Sequence, residues 1–148
     1  MKTLELRRHA RRDPAADRLS PEGRVQAAEV GKTLAGGYTA VFVSPSQRAA
    51  ETVAWFLRGL GEQLPQHSVV PGLGGVGNDG SPEALAGVVL ELFAEIPEDG
   101  RALAVGHTPL IERAVLGLTG REIDALGECE GVLLTIDGDA LRAGEIRT

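Results

Sequence analysis

The chain has 148 residues, 43% hydrophobic but only 3% aromatic, so it is long enough for one domain built around an aliphatic core. A net charge of −6 argues against a nucleic-acid or anionic-membrane surface, and a single cysteine, Cys129, excludes an internal disulfide and a cysteine-rich metal site. No apolar run reaches the length of a membrane span and a strand pattern begins at once, so the expectation is one soluble, cytoplasmic domain over residues 1–148 with no membrane partner.

Residues 3–7 alternate in polarity and predict a first strand. "LSPEGRVQAAEVGKTLAGG" predicts a helix, with Ser20 as N-cap, Pro21 at its first position and the Gly36-Gly37 pair ending it. "TAVFVS" reads as a buried second strand, followed by a helix from about Ser46 to Leu60 with apolar residues at helical spacing. "SVV" is a brief third strand. A glycine-rich loop, residues 71–81, leads to a helix from Pro82 to about Glu95. "RALAVG" is a fourth strand, and "HTPLIERAVLGLTG" a helix with Thr108 as cap and Pro109 at its start. "GVLLTIDGDALRAGEI" predicts a hairpin with an Asp-Gly turn and a weak edge strand.

Alternation of this kind implies an α/β fold: a mostly parallel sheet with helices on both faces and a C-terminal hairpin or edge strand. Ligands in such sheets bind beyond the carboxyl ends of the strands. That edge is where His9, Ser44 and His107 fall, each just past a strand, with Arg8 beside His9 and Arg48 at the start of the following helix. His67 is expected in a loop without such company.

"LRRHARR" packs four arginines around one histidine in an acidic chain. Such a cluster is tolerable when solvated or when it holds an anion. Arginine forks match phosphate oxygens, and helix N-termini add backbone donors. A histidine kept neutral among cations retains a nucleophilic lone pair, and attack on phosphorus gives a phosphohistidine. The arginines and second histidine supply the charge stabilisation that phosphoryl transfer requires, so no metal or other cofactor is expected.

"LRRHA", "VSPSQRAAETV" and "VGHTP" resemble, in order and spacing, the three signature segments of the histidine phosphatase (phosphoglycerate mutase-like) superfamily. The resemblance spans nearly the whole chain. It implies that His9 is the phosphorylated nucleophile, and that Arg8, Arg48 and His107 hold the phosphate. The short length is similar to the bacterial phosphohistidine phosphatase branch. The implied partner is a phosphorylated small molecule or a phosphohistidine protein.

There are two departures. Ala10 and Arg11 stand where the family has Gly and a polar or acidic residue, and "PGLGG" places Gly75 where many members carry a glutamate proton donor. The phosphohistidine phosphatase branch also lacks that glutamate. Expelling an alkoxide needs a general acid, whereas imidazole leaves readily near a pKa of roughly 6.5. The missing acid therefore favours P–N or activated substrates. Asp79, Glu83 and Asp13 are the possible replacements, which leaves a phosphomonoesterase or mutase-like enzyme as the alternative, and a non-catalytic phosphate-binding module as the alternative of another class.

Plainer readings accompany several of these residues. Arg8-His9 alone is equally a charged strand end. Arg11 and Arg12 read as solvated and His67 as a surface loop residue. Ser44 reads as a helix cap, Thr52 as a helix residue that braces the pocket from behind, and Trp55 as core. "GLGGVG", residues 72–77, matches a dinucleotide-binding pattern, but "NDGSP" follows where a helix would have to open, so it reads as a flexible loop over the substrate.

Overall fold

The computed structural model describes residues 1–63 and 67–148. Strands β1 (Lys2–Arg8), β2 (Ala40–Val43), β3 (His67–Val69) and β4 (Arg101–Gly106) run parallel, while β5 (Gly131–Asp137) and β6 (Ala140–Ile146) form an antiparallel hairpin against β1. The sheet order is β3-β2-β4-β1-β5-β6. Helices α1 (Pro21–Gly31) and α2 (Gln47–Leu60) cover one face, and α3 (Pro82–Ala94) and α4 (Leu110–Thr119) the other. This is the layered, mostly parallel α/β arrangement with a C-terminal hairpin that the alternation of elements implies.

Strand alternation divides the core in two. Leu4, Leu6, Ala102 and Ala104 point to α3 and α4, whereas Leu103, Val105, Val41 and Val43 point to Phe56 and Leu57 of α2. The same period separates the neighbouring arginines. Arg7 turns to the α1/α2 face, where its Nε donates to Glu5 Oε2 at 2.6 Å and its Nη1 to the Cys129 carbonyl at 2.9 Å. The Tyr38 hydroxyl donates to the other Glu5 oxygen at 3.0 Å. Arg7 is thus neutralised within the core and withdrawn from the cluster that includes Arg8.

Several boundaries differ from the sequence reading. α1 ends at Gly31, not at the Gly36-Gly37 pair, because Thr33 folds back onto the Val30 carbonyl through both its backbone N–H and its hydroxyl, and Leu34 turns into the core. Ser46, not Ser44, caps α2, accepting from Ala49 N at 3.2 Å. His67 begins β3 instead of lying in a loop before it. The glycine-rich segment opens with a 3-10 turn over Pro71–Gly74 that buries Leu73. Thr108 does not cap α4: Pro109 occupies that position, and the Thr108 hydroxyl donates to Glu112 Oε2.

α1 and α2 approach closely enough for backbone to touch backbone. A Cβ at Gly59 would lie 2.0 Å from the Ala28 carbonyl oxygen, and one at Gly31 would lie 2.1 Å from that of Phe56. Gly59→Ala should therefore destabilise by roughly 1–3 kcal/mol through overpacking, outweighing what alanine gains as a helix former. Urea denaturation should show a lower midpoint with an unchanged m-value.

Candidate active site

The carboxyl ends of β1, β2 and β4 deliver His9, Ser44 and His107 to one edge of the sheet. The rings of His9 and His107 lie 5.4 Å apart, centroid to centroid, at 61°. His9 is only 7% exposed. Its Nδ1–H donates to the Ala10 carbonyl at 2.7 Å, which leaves the lone pair on Nε2. Ala10 N is held in turn by Thr52 Oγ1 at 3.0 Å, and the Thr52 hydroxyl donates to the Arg48 carbonyl at 2.7 Å. Fully buried Thr52 thus braces the His9 loop against the helix that carries Arg48.

Both arginines at this edge are tethered through Nη1 and keep a buried Nε without a partner among the described residues. Arg8 Nη1 donates to the Leu126 carbonyl at 2.9 Å, and Arg48 Nη1 to Asp17 Oδ1 at 2.8 Å. Arg48 Nη2 donates to His107 Nδ1 at 3.4 Å, so the His107 proton sits on Nε2 and is donated to Ser44 Oγ at 2.5 Å. Ser44, expected as a helix cap, instead orients the second imidazole from a position 1% exposed.

Burial lowers the pKa of His9, and Arg48 and Arg8 add to the effect against the opposing hydrogen bond to Ala10. Burial, then Arg48, His9 and Arg8, push His107 down to about 4, with Asp17 opposing. Both rings are accordingly neutral at pH 7. The α2 N-terminus, expected to supply free backbone donors, spends two of them on Asp17: Gln47 N donates to Oδ2 at 3.0 Å and Arg48 N to Oδ1 at 3.2 Å.

The other charged candidates lie elsewhere. Arg11 is mostly exposed and pairs with Glu128 at 3.4 Å, and Arg12 is exposed. Asp13 accepts from Ala15 N and Arg18 Nε, contacts that hold its carboxyl below the usual range. Asp79 is held low by Ser81, and Glu83 is exposed in the first turn of α3. Trp55 is partly buried against the α1/α2 core. A groove of about 560 Å³ between α4 and β6 contains none of the histidines. Among the described residues no cluster of His, Cys, Asp and Glu suits a metal ion, and no helix is long and apolar enough to cross a membrane.

Three contributions escape the sequence reading: Asp17, the ring-holding role of Ser44, and the 126–130 segment, whose Leu126 carbonyl holds Arg8. Only Ser44 carried a signal, its place just past a strand. The others meet the site through backbone groups or a turn whose path no local pattern announces.

Residues 4–73 match the profile of the Histidine phosphatase superfamily (branch 1), a span that holds His9 and Arg48. Over that span the chain is similar to the histidine phosphatase superfamily. Solved structures extend the likeness of fold over the whole chain. The protein histidine phosphatase SixA, complexed with tungstate, is 23% identical with a TM-score of 0.75, over 98% of this chain and 96% of that one. Phosphoserine phosphatase from Entamoeba histolytica, in complex with 3-phosphoglyceric acid, is 18% identical with a TM-score of 0.79, over 100% and 98%. Phosphoglycerate mutase from Bacillus anthracis str. Sterne is 14% identical with a TM-score of 0.80, over 97% and 92%. No curated protein sequence matches the chain.

The depressed imidazoles make a prediction about stability. Unfolding restores an ordinary pKa near 6.5 to His107, so between that value and about 4 the unfolded chain binds more protons than the folded one. His107 therefore stabilises the fold fully above that window and progressively less as pH falls through it. The thermal midpoint should drop from pH 6.5 to 4, and His107→Gln should flatten the drop, as followed by circular dichroism.

Proposed function

We propose that the chain is a metal-independent phosphatase that works through a covalent phosphohistidine on His9 and favours phosphohistidine or another phosphoramidate. The observation that carries this reading is a pair of buried, unpartnered guanidinium Nε atoms beside an imidazole whose Nε2 lone pair is free. Buried donors without acceptors are costly, and phosphoryl oxygens are the acceptors that two arginines match.

In the first step His9 Nε2 forms a bond to phosphorus as the bond from phosphorus to the leaving nitrogen breaks. The leaving imidazole carries away its electron pair and its proton. Arg8 and Arg48 meet the charge on the equatorial oxygens, and His107 holds Arg48 Nη2 beside them through its Nδ1 lone pair. In the second step water attacks phosphorus, the Nε2–P bond breaks, and the proton of water passes to solvent with phosphate as product. The Nδ1–H bond to Ala10 persists throughout and keeps the reactive nitrogen in place.

Substrate preference rests on the leaving group. Gly75 stands where many relatives place an acid, and its φ of 78° suits glycine. Asp13 and Asp79 are held in their ionised forms by local hydrogen bonds. Without a proton donor, P–N bonds break more readily than alkyl P–O bonds. The likeness of fold to SixA accords with this reading.

His9→Ala should abolish turnover and the acid-labile, base-stable incorporation of labelled phosphate, while the fold persists. Activity within tenfold of the parent would refute the nucleophile. A series of substituted phenyl phosphates should show single-turnover rates that fall steeply as leaving-group pKa rises, because a general acid, typically worth 10²–10⁴-fold, is missing. A flat series would favour the phosphomonoesterase or mutase-like alternative, and the acid would then be sought among Asp79, Glu83 and Asp13. Reversible phosphate binding with no covalent capture would identify a binding module.

A further inference from the structure

We propose that Asp17 is a positioning residue for Arg48, a role that rests on the phosphate pocket proposed above. Asp17 makes three contacts, all to the start of α2: Oδ2 accepts from Gln47 N at 3.0 Å, and Oδ1 accepts from Arg48 N at 3.2 Å and from Arg48 Nη1 at 2.8 Å. The carboxylate therefore binds both the backbone that launches the Arg48 side chain and the far end of that side chain. Burial opposes its ionisation, but the bonds from Arg48 and Gln47 outweigh burial and hold it charged.

The choice of nitrogen matters. A guanidinium offers a carboxylate or phosphate two forked edges, and the Nε–Nη2 pair forms one of them. Asp17 takes Nη1 and leaves that edge alone. Nη2 then reaches His107 Nδ1, and Nε is buried without a partner. Tethering at Nη1 fixes the plane of the guanidinium, which directs the remaining edge towards the imidazoles. The charge on Asp17 also opposes the effect of Arg48 on His107.

Asp17 is itself held by a closed turn. Asp13 N donates to the Arg18 carbonyl at 2.7 Å, Arg18 Nε pairs with Asp13 Oδ2 at 3.1 Å, and Arg12 bridges to Leu19, which is 1% exposed. Asp13, weighed above as a proton donor, thus clips together the turn that presents Asp17. Asp13 holds Arg18, the chain neighbour of Asp17, and Asp17 holds Arg48, which reaches His107.

A carboxylate beside a phosphate pocket could instead compete with phosphate for the same donors, and the two roles predict opposite signs. Tungstate binding should be measured by titration calorimetry on the parent chain, Arg48→Ala, Asp17→Ala and Asp17→Asn, with circular dichroism as a check on folding. If Asp17 positions Arg48, Asp17→Ala weakens tungstate about tenfold, which corresponds to about 1.4 kcal/mol. Asp17→Asn should recover part of the loss, since its amide oxygen still accepts from Nη1. The kcat/KM for an aryl phosphate should follow the same order. Tighter binding in Asp17→Ala would make Asp17 a competitor and overturn the proposal, as would unchanged binding in both Asp17 variants while Arg48→Ala binds weakly. Unchanged binding in Arg48→Ala would instead refute the phosphate pocket, and the positioning role with it.

Discussion

Arg8 and Arg48 bring two permanent positive charges to within interaction range of two imidazoles, and of the two only Arg48 meets a carboxylate among the described residues, that of Asp17. Arg8 is anchored by one nitrogen to a backbone carbonyl, and Arg48 by Nη1 to a carboxylate and by Nη2 to His107. Each keeps a buried Nε with no partner among the described residues. The cost of leaving a charged donor unmet in a partly dry site is the tension around which the edge is organised. Burial first, and the two guanidinium charges after it, keep both histidines neutral, while the Ala10 carbonyl and Arg48 Nη2 set the tautomers of His9 and His107.

The rest of the fold serves to hold those charges apart by the right amount. β1 sends Arg7 into the core to meet Glu5 and Arg8 outward, so two adjacent arginines take opposite tasks. Thr52 ties the His9 loop to α2, while the glycine contacts between α1 and α2 seat that helix against its neighbour without an intervening side chain. A shift of α2 along the sheet would move Arg48, Thr52 and the Asp17 contact together. The rigidity of the helix pair is therefore part of the geometry of the site.

Much of this was legible in the sequence because it depends on local pattern. Strand alternation, Ser-Pro helix starts, and the placement of His9 and His107 just past strand ends, with Arg8 beside His9 and Arg48 at the start of a helix, all follow from spacing. What stayed hidden depends on contacts between distant segments. Nothing near Asp17 marks it as a partner of Arg48, 31 residues away. Ser44 looked like a cap because Ser-Pro commonly is one, yet Ser46 captures that role and frees Ser44 for His107. The early end of α1 arose from a threonine back-bond that competes with helix continuation, a local effect of the kind that propensity averages conceal.

Leu126 links the two halves of the site through one peptide group on each side. Its carbonyl anchors Arg8, and its N–H donates to Glu112, the residue on α4 that also receives the Thr108 hydroxyl next to His107. One turn further on, Cys129 N donates to the carbonyl of His9. During synthesis the N-terminal segment leaves the ribosome with its arginine and histidine already in sequence, more than a hundred residues before the backbone that orients them has been made. The nascent chain can bury β1, β2 and their helices well before Leu126 and Cys129 are made, so the contacts that orient Arg8 and His9 close only after a long stretch of later chain has been translated.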